Sequence, residues 1–252
     1  MDARRDEATG RQNELDAYGD FLRRRRAVLL ERIANAARSV GRDPSEVQLL
    51  AVSKTVDVAQ VELAHKAGYL TFGENRPQEL KRKVGAVRQN PSLADVRFHM
   101  IGNLQTNKIN QVLGNADLVH SVSSLHLAHA ISTRSRTRDV VTPCLLEVNV
   151  SGEASKSGFD PEHIVQVVDE VMGLEGIALK GLMTMAPANN KEVARRTFEG
   201  LRLLREDLRT RTGLPLPVLS CGMSGDFEIA VQEGATLVRL GRIVFDPAYE
   251  DR

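Results

Sequence analysis

Hydrophobic residues follow two patterns along the chain. Residues 12–40 have the three-to-four-residue spacing of a long amphipathic helix, which ends at Gly41. The pattern then changes to eight short apolar runs, each of which predicts a strand: 47–55, 69–75, 96–102, 118–124, 143–150, 178–185, 218–224 and 237–241. Segments with helical spacing or helix-starting residues lie between them: 58–66, 77–87, 106–113, 125–137, 161–172, 191–210 and 226–232.

The alternation of apolar strands with helices predicts parallel strands that are covered by helices. Eight such units in about 250 residues are the number and size of a (β/α)8 barrel. We therefore predict an α/β fold, a TIM barrel with an extra N-terminal helix, as one domain over residues 11–252. Residues 1–10 are expected to form a disordered tail. A doubly wound open sheet stays the alternative, because counting strands does not show that a sheet closes.

Composition and charge exclude several classes of protein. The 252 residues include 34 basic and 33 acidic side chains, so the net charge of +1 gives no field that would hold the chain on nucleic acid or an anionic membrane. No stretch approaches the roughly 20 apolar residues of a membrane span, and the N-terminus lacks the apolar segment of a signal peptide. Cys144 and Cys221 lie far apart in apolar runs, which argues against a disulfide. We expect a cytoplasmic protein.

Lys54 is the first candidate for chemistry, since the reacting groups of such barrels lie at the carboxyl ends of the strands. It follows the first predicted strand directly, where an apolar wall would desolvate the amine and lower its pKa. A neutral amine forms a Schiff base with a carbonyl substrate or with pyridoxal phosphate (PLP). A lysine that extends its ammonium group into solvent at a strand end is the alternative.

Two glycine-containing loops follow the seventh and eighth predicted strands. Gly222 and Gly225 flank Ser224, and Asp226 begins a helical pattern, so free backbone N–H groups and a hydroxyl are available to an anion. Gly241 lets the backbone approach a ligand closely after the eighth strand. Barrels commonly bind phosphate at these two loops, which favours a phosphate site. Alone, the Gly-Ser-Gly segment would also fit a plain turn.

Arg239 lies on the otherwise apolar eighth strand, where an unpaired guanidinium would be costly to bury. Its partner is expected to be either a ligand atom or a carboxylate, Glu74 or Glu147. If the partner is the pyridine nitrogen of PLP, an arginine keeps that nitrogen unprotonated. The ring is then a weaker electron sink, which disfavours transamination.

The histidines do not suggest a metal site. His126 and His129 are three residues apart on a predicted helix, but no cysteine or carboxylate cluster completes a ligand set, so they are expected to be a surface pair. His99 lies in a strand, which is typical of a hydrogen-bonded core histidine. The sequence also lacks the motifs of nucleotide hydrolases, dinucleotide-binding proteins, esterases and zinc proteases.

Eight segments occur in a characteristic order between about residues 45 and 245. They are AVSKT (51–55), FGENRPQEL (72–80), FHMIGNLQTNK (98–108), VHSV (119–122), NVSGEASKSGF (149–159), GLMTM (181–185), CGMSGDFEIAVQEGATLVRLG (221–241) and VF (244–245). Together they resemble the pyridoxal phosphate homeostasis protein family, the short, single-domain relatives of the alanine racemase barrel. The resemblance implies a barrel of the alanine racemase type that holds PLP as a lysine aldimine.

The resemblance also implies a set of cofactor-binding residues. These are Lys54 as the Schiff-base lysine, Ser224 with the amides of Gly225, Gly241 and Arg242 at the phosphate, Arg239 at the pyridine nitrogen, and Asn75 and Met223 along the ring pocket. Arg242 stands where the family usually has a small or hydroxyl residue. It keeps a backbone contact with phosphate possible but supplies no hydroxyl.

The function implied by the resemblance is PLP homeostasis: buffering the cofactor and delivering it to PLP-dependent apoenzymes. Two-base racemisation needs a second acid/base group on the opposite face of the substrate, which long racemases take from a partner subunit's C-terminal domain, and this chain stops where that domain would begin. Its tyrosines, Tyr18, Tyr69 and Tyr249, are expected outside the mouth or at a strand start. We therefore expect a monomer with little or no turnover. A PLP-dependent amino-acid racemase of low activity and a Schiff-base aldolase for a phosphorylated sugar stay as alternatives.

Overall fold

Eight parallel strands form a closed barrel in which each strand pairs with the next along the chain and β8 pairs with β1. The computed structural model describes residues 2–153, 156–188 and 190–249, with side chains from residue 13 onward. The strands are β1 Gln48–Val52, β2 Thr71–Glu74, β3 Arg97–Met100, β4 Leu118–Val122, β5 Thr142–Glu147, β6 Ile177–Met183, β7 Val218–Ser220 and β8 Leu237–Leu240.

Helices connect the strands on the outside of the barrel. They are α1 Asp2–Arg38, α2 Val58–Lys66, α3 Pro77–Arg88, α4 Ile109–Val112, α5 Leu125–Thr137, α6 Ile164–Met172, α7 Lys191–Thr212, α8 Phe227–Gln232 and α9 Arg242–Phe245. Within the described ranges, no helix combines the length and apolar character needed to cross a membrane.

The predicted elements are confirmed, with shorter strands than the apolar runs suggested. The closed barrel excludes the open-sheet alternative. Helix α1 begins at Asp2, so residues 2–10, expected as a disordered tail, are helical in this structure; their order in solution stays a prediction. Of the segment 149–159, residues 154 and 155 lie outside the described residues.

The hydrophobic core has two parts because the side chains of a strand alternate between its two faces. One set of strand side chains packs outward against the helices in a large continuous cluster. The other set points into the barrel, where Leu50, Val52 and Leu237 form one buried cluster and Leu118, Leu145 and Met183 form another. Leu50 and Val52 of β1 therefore face the barrel interior, whereas Ala51 packs toward the helices.

Gly181 allows the barrel to close between β6 and β7. Its φ of +151° is unfavourable for other residues, and a Cβ at this position would lie 1.8 Å from the carbonyl oxygen of Val218. The pairing of β5 with β6 shifts register between Cys144 and Leu145, as expected at a β-bulge. The glycine and the irregular pairing let neighbouring backbones approach closely enough to continue the barrel.

Candidate functional site

Lys54 lies in a turn at the carboxyl end of β1. The turn spans residues 53–56 and is closed by a 3.2 Å hydrogen bond from the Val56 N–H to the Ser53 carbonyl. Lys54 is exposed, so the expectation that an apolar wall desolvates its amine is wrong. The physical reason is that β1 ends at Val52, which places Lys54 two residues beyond the apolar wall. The amine is accessible at the barrel mouth.

Behind this turn, three buried polar residues are bonded together. The Lys83 ammonium on α3 lies 2.6 Å from Glu74 Oε1 at the end of β2. The same ammonium donates to the Ser53 carbonyl at 2.6 Å, and the Ser53 hydroxyl donates to Glu74 Oε1 at 2.5 Å. Sequence reasoning missed Lys83, because its position on an amphipathic helix does not reveal that it faces the barrel wall.

The carboxyl ends of β7, β8 and β1 are neighbours around the barrel. The backbone N–H of Arg239 donates to the Gly222 carbonyl at 3.0 Å, which joins the end of β7 to β8. A Cβ on Gly241 would lie 3.4 Å from Val52 Cβ, so the loop after β8 runs directly beside the end of β1. The structure therefore brings the Lys54 turn and the two glycine-containing loops to one side of the mouth.

The loop after β7 is shaped by a glycine and an aspartate. Gly222 has φ +89°, and a Cβ there would lie 2.6 Å from a side chain of α8. The Asp226 carboxylate accepts the Met223 N–H at 2.6 Å, which folds the loop into a tight turn. The N–H groups of Ser224 and Gly225 donate to none of the described residues. They are available to an anion, as the sequence predicted.

The loop after β8 offers two more backbone donors. The N–H groups of Gly241 and Arg242 have no acceptor within the described ranges. The Arg242 side chain is exposed, and its guanidinium carbon lies 5.9 Å from the centre of the Tyr249 ring. Two neighbouring loops thus present free N–H groups, the kind of donor that binds phosphate in backbone turns.

Arg239 is buried in the barrel interior, and its guanidinium is held by oxygen atoms of β7 and of the residue that follows β6. Nη1 donates to the Ser220 carbonyl at 2.9 Å and to the Ser220 hydroxyl at 2.7 Å, while Nη2 donates to the Thr184 carbonyl at 3.1 Å. No carboxylate of the described part of the chain lies within ion-pair distance, so the alternative of a salt bridge to Glu74 or Glu147 is wrong. Burial lowers the pKa of Arg239.

A chain of buried polar groups continues from Arg239 across the barrel. His120 Nδ1 lies 3.0 Å from the Ser220 hydroxyl, and His120 Nε2 lies 3.0 Å from His99 Nδ1. Burial lowers the pKa of His99 to about 4 and that of His120 well below its ordinary value, so both rings are neutral at pH 7. The prediction of a hydrogen-bonded core histidine at position 99 is confirmed. Sequence reasoning missed its partner His120.

The guanidinium only donates hydrogen bonds, so the Ser220 hydroxyl accepts from Arg239. The direction of the other two bonds depends on the histidine tautomers: when the Ser220 hydroxyl donates to His120 Nδ1, His120 carries its hydrogen on Nε2 and donates to His99 Nδ1. The neutral imidazoles therefore complete the support of a buried cation without adding a second charge.

The two residues predicted along a ring pocket lie at the same end of the barrel. Asn75 follows β2, is partly buried, and is packed closely by Gly102, where a Cβ would lie 2.2 Å from the Asn75 carbonyl oxygen. Met223 follows β7 and is 38% exposed. Burial raises the pKa of Asp226, which also interacts with the charges of Arg239 and Lys156. Lys156 is thus a further cation near the loop after β7 that sequence reasoning did not single out.

Other sequence-based candidates lie away from this group. His126 and His129 are both exposed, and His129 pairs with Glu170 at 2.6 Å, as expected of a surface pair. Tyr69 is buried just before β2, at the opposite end of that strand from the mouth. The Tyr18 hydroxyl donates to the Phe245 carbonyl at 2.8 Å.

Comparisons with known proteins agree on one family. The profile of the family described as "Alanine racemase, N-terminal domain" matches residues 28–247. A protein of Aquifex aeolicus named "Pyridoxal phosphate homeostasis protein" is 39% identical over 218 residues, which are 86% of this chain and 94% of that protein. A protein of Pseudomonas aeruginosa with the same name is 41% identical over 222 residues, 87% of this chain and 92% of that protein.

A solved structure gives the same relationship. PipY of Synechococcus elongatus, solved with PLP bound, superposes with a TM-score of 0.74 at 33% identity, covering 86% of this chain and 99% of PipY.

Proposed function

Because the chain belongs to the alanine racemase N-terminal domain family and, within it, to the pyridoxal phosphate homeostasis proteins, we propose that it binds PLP at the mouth of the barrel. The observation that carries this proposal is the juxtaposition of an accessible amine, Lys54, with the free N–H groups of two loops. When bound, PLP supplies an aldehyde that condenses reversibly with a primary amine.

The donor set fits the chemistry of PLP. The N–H groups of Ser224, Gly225, Gly241 and Arg242 match the oxygen acceptors of a phosphate, and the Ser224 hydroxyl adds a fifth donor. Gly222 supports this fit because any side chain there would push against α8 and distort the loop. Arg242 contributes its backbone N–H, while its side chain turns toward Tyr249.

Arg239 would serve the pyridine nitrogen. Its hydrogen bonds to Ser220 and Thr184 use three of its five N–H donors, and among the described residues the other two are left for another acceptor. The cation disfavours a proton on a nitrogen that accepts from it, which keeps the ring a weak electron sink. Asn75 and Met223 would line the sides of the ring.

We propose that the protein buffers PLP and delivers it to apoenzymes with little or no turnover of its own. Lys54, Met223 and Arg242 are all exposed, which lets the cofactor enter and leave. The alternative of an amino-acid racemase needs a second acid/base group opposite Lys54. The Tyr18 hydroxyl is already bonded to a carbonyl, and the buried His99 and His120 are bonded to each other.

We propose further that one chain suffices, because the Lys54 amine, the free N–H groups of the two loops and the Arg239 guanidinium match the aldehyde, the phosphate and the pyridine nitrogen of PLP. Sedimentation velocity over a range of concentrations tests this, and a concentration-dependent dimer that gains PLP affinity would contradict it.

Reductive trapping tests the binding site. The purified protein is mixed with PLP, reduced with borohydride and mapped by mass spectrometry of its peptides. We expect the label on Lys54 and its loss in Lys54→Ala, whereas Lys66→Ala, which removes an exposed lysine of α2, keeps the Lys54 label. A visible spectrum and a reducible adduct that persist unchanged in Lys54→Ala would overturn the assignment.

Two assays test the carrier role. Transfer of PLP from the loaded protein to an added PLP-dependent apoenzyme is measured as recovered activity of that enzyme. Chiral analysis of amino acids incubated with the loaded protein measures racemisation. Turnover near the ordinary enzyme range of about 1–1,000 per second would favour the racemase over the carrier.

A further inference from the structure

The buried ion pair of Lys83 and Glu74 lies directly behind the turn that carries Lys54. Lys83 is 1% exposed and Glu74 is 0% exposed, and their charged atoms are 2.6 Å apart. Lysine side chains are rarely buried to this extent unless they are paired. The function proposed above makes no use of this second amine, which raises the question of what the pair does.

The pair acts on the residue that immediately precedes Lys54. The Ser53 carbonyl accepts two hydrogen bonds, one from the Lys83 ammonium at 2.6 Å and one from the Val56 N–H at 3.2 Å. The second of these closes the turn at residues 53–56. The Ser53 N–H donates to the Gly73 carbonyl at 3.0 Å. Hydrogen bonds therefore hold both the N–H and the carbonyl group of Ser53, the first residue of the turn.

Glu74 links the same cluster to the next strand. Its Oε1 accepts from both Lys83 and the Ser53 hydroxyl. Its other oxygen, Oε2, is buried and has no hydrogen-bond partner among the described residues. Glu74 is followed by Asn75, so one cluster fixes the ends of β1 and β2 at the mouth.

Stability alone is a weak reason for such a cluster. Taking two charges out of water costs about as much as their attraction returns, and apolar replacement of a buried pair is often neutral or stabilising. The unpartnered Glu74 Oε2 adds a further cost. The cluster is therefore better explained by the geometry that it imposes on the turn.

We propose that Lys83 is a positioning residue, whose ammonium fixes the turn at residues 53–56 and thereby holds the Lys54 amine in place for the aldehyde of PLP. This inference rests on the proposed function. A reacting group that is displaced by about 1 Å reacts as much as 100-fold more slowly, so loss of the anchor should appear in the rate of adduct formation.

The test uses the double variant Glu74→Gln/Lys83→Met, which removes both buried charges while keeping similar volumes. We expect it to fold with a melting temperature close to wild type, since no unpaired charge is left. Formation of the Lys54 adduct, followed by visible absorbance after mixing with PLP, should slow by about 10- to 100-fold. Lys81→Met is the matched control, because Lys81 lies on the same helix but is exposed.

Two further measurements separate positioning from general damage. Hydrogen exchange of the Val56 amide should accelerate in the double variant, whereas amides of β5 keep their protection. Glu74→Met/Lys83→Met, which also leaves no unpaired charge, is a second variant in case the first does not fold, and it should also slow adduct formation.

The outcomes are distinct. A folded variant of either kind that forms the Lys54 adduct at the wild-type rate overturns the inference and leaves the proposed function standing. A wild-type protein that forms no adduct at Lys54 overturns the proposed function and this inference with it.

Discussion

The buried histidines predict a specific loss of stability in acid. His99 and His120 are neutral inside the barrel, and burial lowers the pKa of His99 from an ordinary 6.5 to about 4. Between pH 6.5 and about pH 4, His99 of the unfolded chain binds a proton that His99 of the folded protein does not bind. The stabilisation is therefore complete above about pH 6.5 and is lost as the pH falls toward 4.

The size of the effect follows from the two pKa values of His99. With 6.5 in the unfolded chain and about 4 in the barrel, the linked free energy lost between pH 8 and pH 4.5 is about 2 to 3 kcal/mol. His120 contributes in the same direction, because its pKa lies well below the ordinary value. This is a large part of the roughly 5–15 kcal/mol that stabilises a typical domain.

The assay is urea unfolding of wild type and His99→Gln at a series of pH values from 8 to 4.5. The glutamine keeps a polar partner for His120 but does not titrate. The variant is expected to lose about 2 to 3 kcal/mol less than wild type over this range. His126→Gln, which removes an exposed histidine, should follow the wild-type curve. Equal losses in wild type and His99→Gln would refute the reasoning.

Three other substitutions or treatments have defined outcomes. Gly222→Ala places a Cβ 2.6 Å from α8 at φ +89°, so its free energy of unfolding should fall by about 2 kcal/mol or more, whereas Gly225→Ala enters open space and should leave the urea midpoint unchanged. Arg239→Leu removes the buried guanidinium together with its hydrogen bonds, and we expect a PLP dissociation constant raised about tenfold in a spectroscopic titration; wild-type affinity would place Arg239 outside the site. Cys144 and Cys221 are buried with pKa values raised to about 12, so a thiol reagent at pH 8 should label neither until urea unfolds the chain, and rapid labelling of the native protein would contradict their burial.

The fold was predictable because each repeat has its own local signal. Apolar runs mark the strands, and helix α2 begins at a capping box in which the Gln60 side chain accepts the N–H of Asp57, which the sequence shows as a polar residue before an apolar run. Closure was predicted from the number of repeats alone, since the contacts between β1 and β8 that establish it join opposite ends of the chain. The strand lengths were overestimated because apolar residues continue past the last ladder hydrogen bonds.

The site was predictable only where residue type and position coincide. Polar residues at strand ends, such as Lys54 and Ser224, follow from the barrel rule. The exposure of Lys54 did not follow, because the end of β1 is set by pairing with its neighbours. Lys83 and His120 were missed, since their roles come from partners that lie on other elements and are distant along the chain.

At the barrel mouth, the groups that are held rigidly differ from the group that is exposed to solvent. The guanidinium of Arg239 and the amides of the loops are held by buried hydrogen bonds and by glycines, so they would bind a ligand without rearranging. Lys54 is exposed, but the Ser53 carbonyl next to it accepts a hydrogen bond from the buried Lys83 ammonium. A bond between an amine and an aldehyde is reversed by water or by another amine, so an accessible, well-placed lysine favours reversible loading. Efficient catalysis of amino-acid chemistry needs the opposite, a site from which water is excluded. The arrangement of these residues is therefore better suited to holding and handing over a cofactor than to using it.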